Sequence, residues 1–529
     1  MSGTLRDDLM RAGALEPGMT PAECRETHIS WVFLTDSGAW KVKKPVELGF
    51  LDFGTLSSRK VACEAEVELN ARLAPGVYLG VFPIRRGPDG RHHAVSDGEI
   101  VDWAVRMKRL PDARRADILL AQGRLEPAIV DRLAIHLARF HERADSRPEI
   151  ARYGTAAAVG QSVRENFIQT RGVIEDYLPA KQALEVERWQ TDFLHDHACL
   201  FEERVRAGRV RDGHGDLRLE HVYVGPGDRF TILDCIEFNE RFRFADVCSD
   251  LAFLSMDLAW NRRVDLAERL LARYAREAND HDLYSVVDFY ESYRAYVRGK
   301  ISTMLAEDAG VPEETRERAT HEARRYFLLA LSADRRSLLT PSLVAVGGLI
   351  ASGKSTVADW LSAELGAPVV DADRVRKHML GMRPTEHAQD DAWKGAYDPS
   401  FTEDVYGEVL RRASVVLASG RPVIVDASFR SVQLRQAARS LAEKHGVPFQ
   451  FIECRATADT CRARLVERAR GESVSDGRLA VFEEFSSRFE PVTELPRNHH
   501  FVIDTDQPPR AVQSAVRRSI ATWPRGLVA

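Results

Sequence analysis

Gly348-Leu349-Ile350-Ala351-Ser352-Gly353-Lys354-Ser355 satisfies the pattern GxxxxGK[ST] in full. Glycines at those spacings let the backbone curl until several N–H groups point at one phosphate chain. A helix beginning there adds roughly half a positive charge at its first turn. Lys354 is placed to reach the β- and γ-phosphates of ATP and the Ser355 hydroxyl to bind Mg²⁺. Gly348, Ala351, Ser352, Gly353 and Thr356 complete the cradle. Further along, Val370-Asp371-Ala372-Asp373 puts two acids at the end of a short apolar run, followed by Arg374 and Arg376. Carboxylates at the carboxyl end of a parallel strand lie where ligands bind. Asp373 is read as a general base for an acceptor hydroxyl and Arg376 as a clamp for charge. The other role open to Asp371 and Asp373 is that of helix N-cap. Val423-Ile424-Val425-Asp426 ends in an acid as a Walker B strand does, so Asp426 is expected to hold Mg²⁺ through water or to orient substrate. Arg464 and Arg468 share one face of a basic helix that leads into Gly471-Glu472-Ser473-Val474-Ser475-Asp476. Guanidinium groups so placed can close over phosphates as a lid, or form a solvated basic face.

A second constellation lies earlier. His214-Gly215-Asp216-Leu217-Arg218-Leu219-Glu220-His221 is followed by Val222-Tyr223-Val224 and then by Ile232-Leu233-Asp234. This stretch resembles the HGDxxxxN loop of aminoglycoside phosphotransferases and related kinase-fold enzymes. The resemblance implies Asp216 as catalytic base, His221 in the asparagine position and Asp234 as the Mg²⁺ ligand on ATP. It also implies a nucleotide lysine on an early strand, which Trp40-Lys41-Val42-Lys43-Lys44 supplies. Lys41 and Lys43 face one side of that strand. Lys41 fits the order of the family's strand better, and its partner is Glu64 or Glu66 on the next helix. His28-Ile29-Ser30 stands where the family's phosphate-covering turn should be, and His221 replaces an amide. Asp250, in the following DVCSDLA segment, is expected to be structural.

The elements that must position these groups fall into two sets. Residues 28–34 and 39–42 are rich in β-branched and aromatic residues, with Asp36-Ser37-Gly38 as the turn between them. A helix is expected over 57–73. Residues 127–335 read as mostly helical, with Val130, Leu133, Ala134, Leu137 and Phe140 on one face, interrupted by strands at 221–224 and 230–234. From residue 343 short apolar strands (343–346, 368–370, 423–425, 449–452 and 501–503) alternate with helices, which predicts a parallel sheet covered on both faces. The expected architecture is therefore an α+β, protein-kinase-like bilobal domain over 1–335, with an N-lobe to about 110. A linker at 336–342 and an α/β P-loop domain over 343–529 follow.

Hydrophobic residues at 44% and charged residues at 29% exclude wholesale disorder. Lys+Arg of 74 against Asp+Glu of 79 excludes a global basic footprint for nucleic acid. The seven cysteines form no CxxC pair, which points to a reducing cytoplasm rather than a disulfide frame. No apolar run reaches the ~18–20 residues that would span a bilayer, the first residues lack a secretory apolar core, and no protein partner is indicated. His92-His93, His195, His197 and His499-His500 lack a third metal ligand and are expected to be polar surface features.

Residues 343–529 resemble the small-molecule and nucleic-acid P-loop kinases. The complete chain resembles a bacterial fusion of an aminoglycoside phosphotransferase-like domain with such a kinase, of the kind described as AAA-type ATP-binding. The resemblance implies ATP-dependent transfer of the γ-phosphoryl to an acceptor hydroxyl, with the P-loop domain as the main site and the kinase-like domain as a second. Two alternatives stay open. The amino-terminal half is a binding or regulatory module, or the P-loop acceptor is the 5′-hydroxyl of a nucleic acid.

Overall fold

The computed structural model describes residues 4–27, 29–36, 38–48, 51–331, 340–386, 395–470 and 474–520. His28, Ser37, most of the expected linker and Gly471 to Ser473 therefore lie outside the described residues. The chain forms two compact units. One comprises Met1–Ile129, Phe140–Asp257 and Glu291–Leu331, and the other Val130–Arg139, Leu258–Tyr290 and Ser332–Ala529.

The first unit carries a six-stranded antiparallel sheet. Its spatial order is Glu23–Glu26, Ser30–Leu34, Gly38–Lys43, Glu99–Lys108, Tyr78–Arg86 and His92–His93. Phe33, Trp40, Val42, Ile84 and Ala104 form the core on one face. The helix Leu56–Asn70 packs its Cys63 against the cluster on the other face, which includes Leu34, Ala39 and Val105. A capping box at Thr55 and Ser58 starts that helix. Further on, Val222–Val224 pairs antiparallel with Phe230–Ile232, and Val210–Asp212 with Phe244–Asp246. Asp234 thus falls just beyond its strand, at a left-handed φ of 64°. His92 is not a surface feature: it is buried, and its Nδ1 lies 2.7 Å from Asp8 Oδ2, tying the amino-terminal helix to the sheet edge.

The second unit is built on a five-stranded parallel sheet in the order Val369–Asp371, Val423–Asp426, Leu343–Gly348, Phe449–Arg455 and His500–Asp504. The central strand is buried along its whole length, as its continuous apolar run requires. The helix Lys354–Leu365 buries Val357, Ala358, Leu361 and Leu365 on one face of the sheet. The expected division near residue 343 is corrected here, because this unit also takes in Leu258–Tyr290. The reason is polar. Arg421, 3% exposed, donates to Glu268 Oε2 and to Asp288 Oδ1, each at 2.8 Å. His281 Nε2 lies 3.0 Å from the Val369 carbonyl oxygen. An apolar-periodicity reading cannot see buried ion pairs between segments over a hundred residues apart.

None of the seven cysteines is in a disulfide. Among the described residues no helix is long and apolar enough to cross a membrane.

Candidate functional site

In the second unit the phosphate loop joins the central strand to its helix. Gly348 (φ 141°) and Gly353 (φ 88°) take conformations that L side chains rarely adopt. A Cβ at 348 would collide with the Cys454 carbonyl oxygen, and one at 353 would press on Thr505 at 3.3 Å. Ala351 between them is also left-handed, at φ 62°. Lys354 Nζ donates to the Leu349 carbonyl oxygen at 2.8 Å, which holds the ammonium over the loop. Thr505, just past the last strand, donates its Oγ1 hydrogen to the Ser352 carbonyl oxygen at 2.7 Å and so braces the outer edge. Ser355 and Thr356 open the helix and, with Ile350 to Lys354 apart from buried Ser352, line one cavity.

The acids converge on that cavity from the neighbouring strands. Asp371 and Asp426 are register partners on adjacent parallel strands. Asp371 takes the N-cap role: its Oδ1 accepts from Asp373 N at 2.9 Å and Arg374 N at 3.1 Å. Asp373 is thereby fixed in the first turn of Ala372–Met379. Burial, and then the charge of Asp371, raise the Asp373 carboxyl above its ordinary range. The same two causes push Asp426 up to about 7, although Lys354 and a Ser355 hydrogen bond draw it back. Ser355 and Asp426 thus offer a pair of hard oxygens, which fits Mg²⁺ held largely by water and phosphate. Among the described residues no group of three or more His, Cys, Asp or Glu could hold a metal ion by itself.

The arginines divide. Arg468 lines the cavity. Arg464 is committed to main chain, donating to Thr505 O at 2.6 Å and Ala351 O at 3.2 Å, so it buttresses the phosphate loop from behind. Arg376 lines the cavity but is only 5% exposed, with its guanidinium over Tyr397 at 4.7 Å. Among the lining residues that escaped the sequence reading are Arg430, Arg478, Tyr397 and Phe485. Arg430 follows the Asp426 strand by four residues, a spacing that could have singled it out. Arg478 sits on a connection, Tyr397 on the 3-10 turn Gly395–Tyr397 and Phe485 on the short helix Phe482–Ser487, and only the fold reveals where these run. Lys377, also missed, pairs with Asp476 at 3.1 Å and donates to Val474 O at 2.6 Å, anchoring the loop beyond the basic helix.

In the first unit, Lys41 Nζ lies 2.9 Å from Glu66 Oε1 and 2.6 Å from Asp234 Oδ1. Lys43 pairs with the other Glu66 oxygen at 2.7 Å and with Glu237. Burial opposes the charge on Glu66, but Lys41 and Lys43 outweigh it and hold the carboxyl below its ordinary range. Glu64 is not part of this cluster. It is half exposed beside Lys60 at 3.6 Å. Asp250 accepts from His214 N at 2.7 Å and Gly215 N at 2.8 Å and so fixes the HGD loop. Burial drives the His214 ring down to about 4. His221 Nδ1 donates to the Asp216 carbonyl oxygen at 2.8 Å, leaving Nε2 3.7 Å from Asp234 Oδ2. Asp216 lies 3.2 Å from Arg218 Nε. Burial opposes its charge, but Arg218 and then His221 keep its carboxyl below the ordinary range. Lys41, Glu66, Asp216, His221 and Asp234 are therefore one connected polar cluster.

Residues 343–492 match the AAA domain family. Among solved structures the chain is similar to a gluconokinase from Sinorhizobium meliloti 1021, at 20% identity and TM-score 0.24, over 35% of this chain and 93% of that one. It is also similar to the Mycobacterium tuberculosis APS kinase CysC in complex with AMPPNP and APS, at 16% identity and TM-score 0.25, over 34% of this chain and 95% of that one. Over most of its length it is similar to uncharacterized protein Rv2004c of Mycobacterium tuberculosis and uncharacterized protein Mb2027c of Mycobacterium bovis. Each is 34% identical over 462 residues, covering 87% of this chain and 89% of the relative. The chain belongs to the same family as these mycobacterial proteins, with an AAA domain over residues 343–492.

Proposed function

We propose that the second unit is an ATP-dependent phosphotransferase that moves the γ-phosphoryl of ATP to an acceptor hydroxyl. The observation that carries this reading is the convergence of the phosphate loop, Asp373 and Asp426 on one cavity. Loop N–H groups and Lys354 hold the phosphates. Ser355 and Asp426 would hold Mg²⁺, which would supply neutralisation of the phosphate charge. Asp373 accepts the acceptor's proton, a task that suits a carboxyl raised above its ordinary range. Arg468 stabilises the transferring group. The test is ADP release with Mg-ATP against a panel of sugars, nucleosides, aminoglycosides and 5′-hydroxyl oligonucleotides. Lys354→Ala should abolish the second unit's share of it. Asp373→Asn should remove the acceptor-dependent part. Stimulation by oligonucleotides alone, steeply salt-dependent, would make the acceptor a nucleic-acid 5′-hydroxyl.

A second reading concerns the first unit, for which we favour an aminoglycoside phosphotransferase-like kinase fold with its own ATP site. The Lys41–Glu66 pair beside Asp234 supports it. Asp216 would be its base, with Asp234 and His221 toward Mg²⁺. If Asp216→Asn changes no turnover while Lys354→Ala removes all of it, the first unit is a binding or regulatory module instead.

A further inference from the structure

The strand that ends in Asp426 does not run straight into a helix. It turns at Phe429, whose φ of 47° is left-handed. For a bulky residue that conformation is an outlier. The surroundings enforce it. Phe429 N donates to Tyr406 Oη at 3.0 Å, and the Phe429 carbonyl oxygen accepts from buried Arg435 at 2.9 Å. The Phe429 ring is fully buried against Tyr406 and Phe451. On either side, Gly348 N donates to Ser428 O at 3.1 Å, and Glu490 N donates to Arg430 O at 2.8 Å. Strain so heavily over-determined marks a place where side chains are being aimed. Ser428 and Arg430, the neighbours of Phe429, both line the phosphate-loop cavity.

Arg376 reaches the same cavity from the helix that carries Asp373. Its guanidinium lies over Tyr397 at 4.7 Å and Phe401 at 5.9 Å, and it donates to Ala396 O and to Thr402 Oγ1, so its position is set. Arg430 and Arg376 line the same cavity. Burial, and then the like charges of Arg488 and Arg376, weaken the hold of Arg430 on its proton. Tyr406 and Glu490 oppose this without cancelling it. Converging guanidiniums of this kind suit an anionic ligand, which offers charge-assisted, bidentate hydrogen bonds and relieves their repulsion.

We propose that the wall formed by Arg430, Ser428 and Arg376 is an anion-recognising acceptor subsite. The acceptor of the second unit is then a hydroxyl compound that also bears a carboxylate or a phosphate. This rests on the phosphotransfer reading above, which left the acceptor's chemistry open. The phosphate loop takes the nucleotide at one end of the cavity. The arginine wall takes the acceptor's charge and leaves its hydroxyl toward Asp373.

The test uses the full chain, with two matched pairs: glucose against glucuronate, and ribose against ribose 5-phosphate. Binding is read as thermal stabilisation with a non-hydrolysable ATP analogue present, so that the phosphate loop is filled. Turnover is read separately as ADP release with ATP. The wild type should prefer the charged member of at least one pair by tenfold or more. Which pair responds separates carboxylate from phosphate. Arg430→Gln should cut that preference by about tenfold, the size expected for one charge-assisted contact, and Arg430→Lys should restore part of it. Equal stabilisation by neutral and charged members overturns the subsite. So does a preference unchanged in Arg430→Gln, or no stabilisation by either charged compound at millimolar concentration. If the charged compounds stabilise the wild type but not Arg430→Gln, while none raises ADP release, the anion subsite stands and the transfer reading fails.

Discussion

Arg276 Nη2 lies 3.2 Å from Asp371 Oδ2, while the other oxygen of Asp371 caps the helix that carries Asp373. A residue from Leu258–Tyr290 thus sets the carboxylate that orients the proposed base. Arg276 also pairs with Asp359 on the phosphate-loop helix. Removing one partner of a buried pair costs about 3–5 kcal/mol, because the other charge is left uncompensated. Arg276→Ala and Arg421→Ala should each lower the urea midpoint of the second unit. Arg276→Ala should in addition lower kcat more than it raises KM for ATP. A fragment starting at residue 343 should be less stable than one that retains 258–290.

The phosphate loop gives a sharper test. Lys354→Ala should abolish binding of a fluorescent ATP analogue in the second unit. Gly353→Ala should weaken it at least tenfold, since a Cβ there meets Thr505 at 3.3 Å and the φ of 88° disfavours alanine. Titration with the analogue would measure both.

In the first unit the two glutamates should behave oppositely. Glu66 is fully buried between Lys41 and Lys43, so Glu66→Gln should destabilise the fold by several kcal/mol and remove any nucleotide binding there. Glu64→Gln should change stability by no more than about 0.5 kcal/mol, because Glu64 faces Lys60 across an exposed gap of 3.6 Å. Chemical unfolding of both variants would decide the matter.

Acid should destabilise both units through buried imidazoles. Burial lowers His214 and His281 from an ordinary 6.5 to about 4. Between those values the unfolded chain takes up a proton that the folded chain refuses. Stability is therefore fully present above pH 6.5 and falls as pH drops toward 4, by about 3 kcal/mol for each ring. Urea midpoints measured from pH 7 to pH 4 should show the fall, and His281→Gln should flatten it for the second unit.

The phosphate loop and the five parallel strands were legible because their signals are local. Glycine spacing, a buried apolar strand and a following amphipathic helix lie within some twenty-five residues of each other. The HGD loop and the Lys41 strand were legible as patterns, but the choice of Glu66 over Glu64 was not. Two residues on one helix differ only in the face they present, and the sheet decides which face is buried.

Which groups could handle phosphates, and where strands and helices alternate, follow from residue type and short-range periodicity along the chain. The tertiary structure decided the partners. It placed Arg464 behind the loop and Arg468 in the cavity, brought Arg430 in through a strained turn at Phe429, and drew Arg276 onto Asp371 from ninety-five residues away. Such pairings depend on three-dimensional distance and on the exclusion of water, and neither is written in the order of residues along the chain.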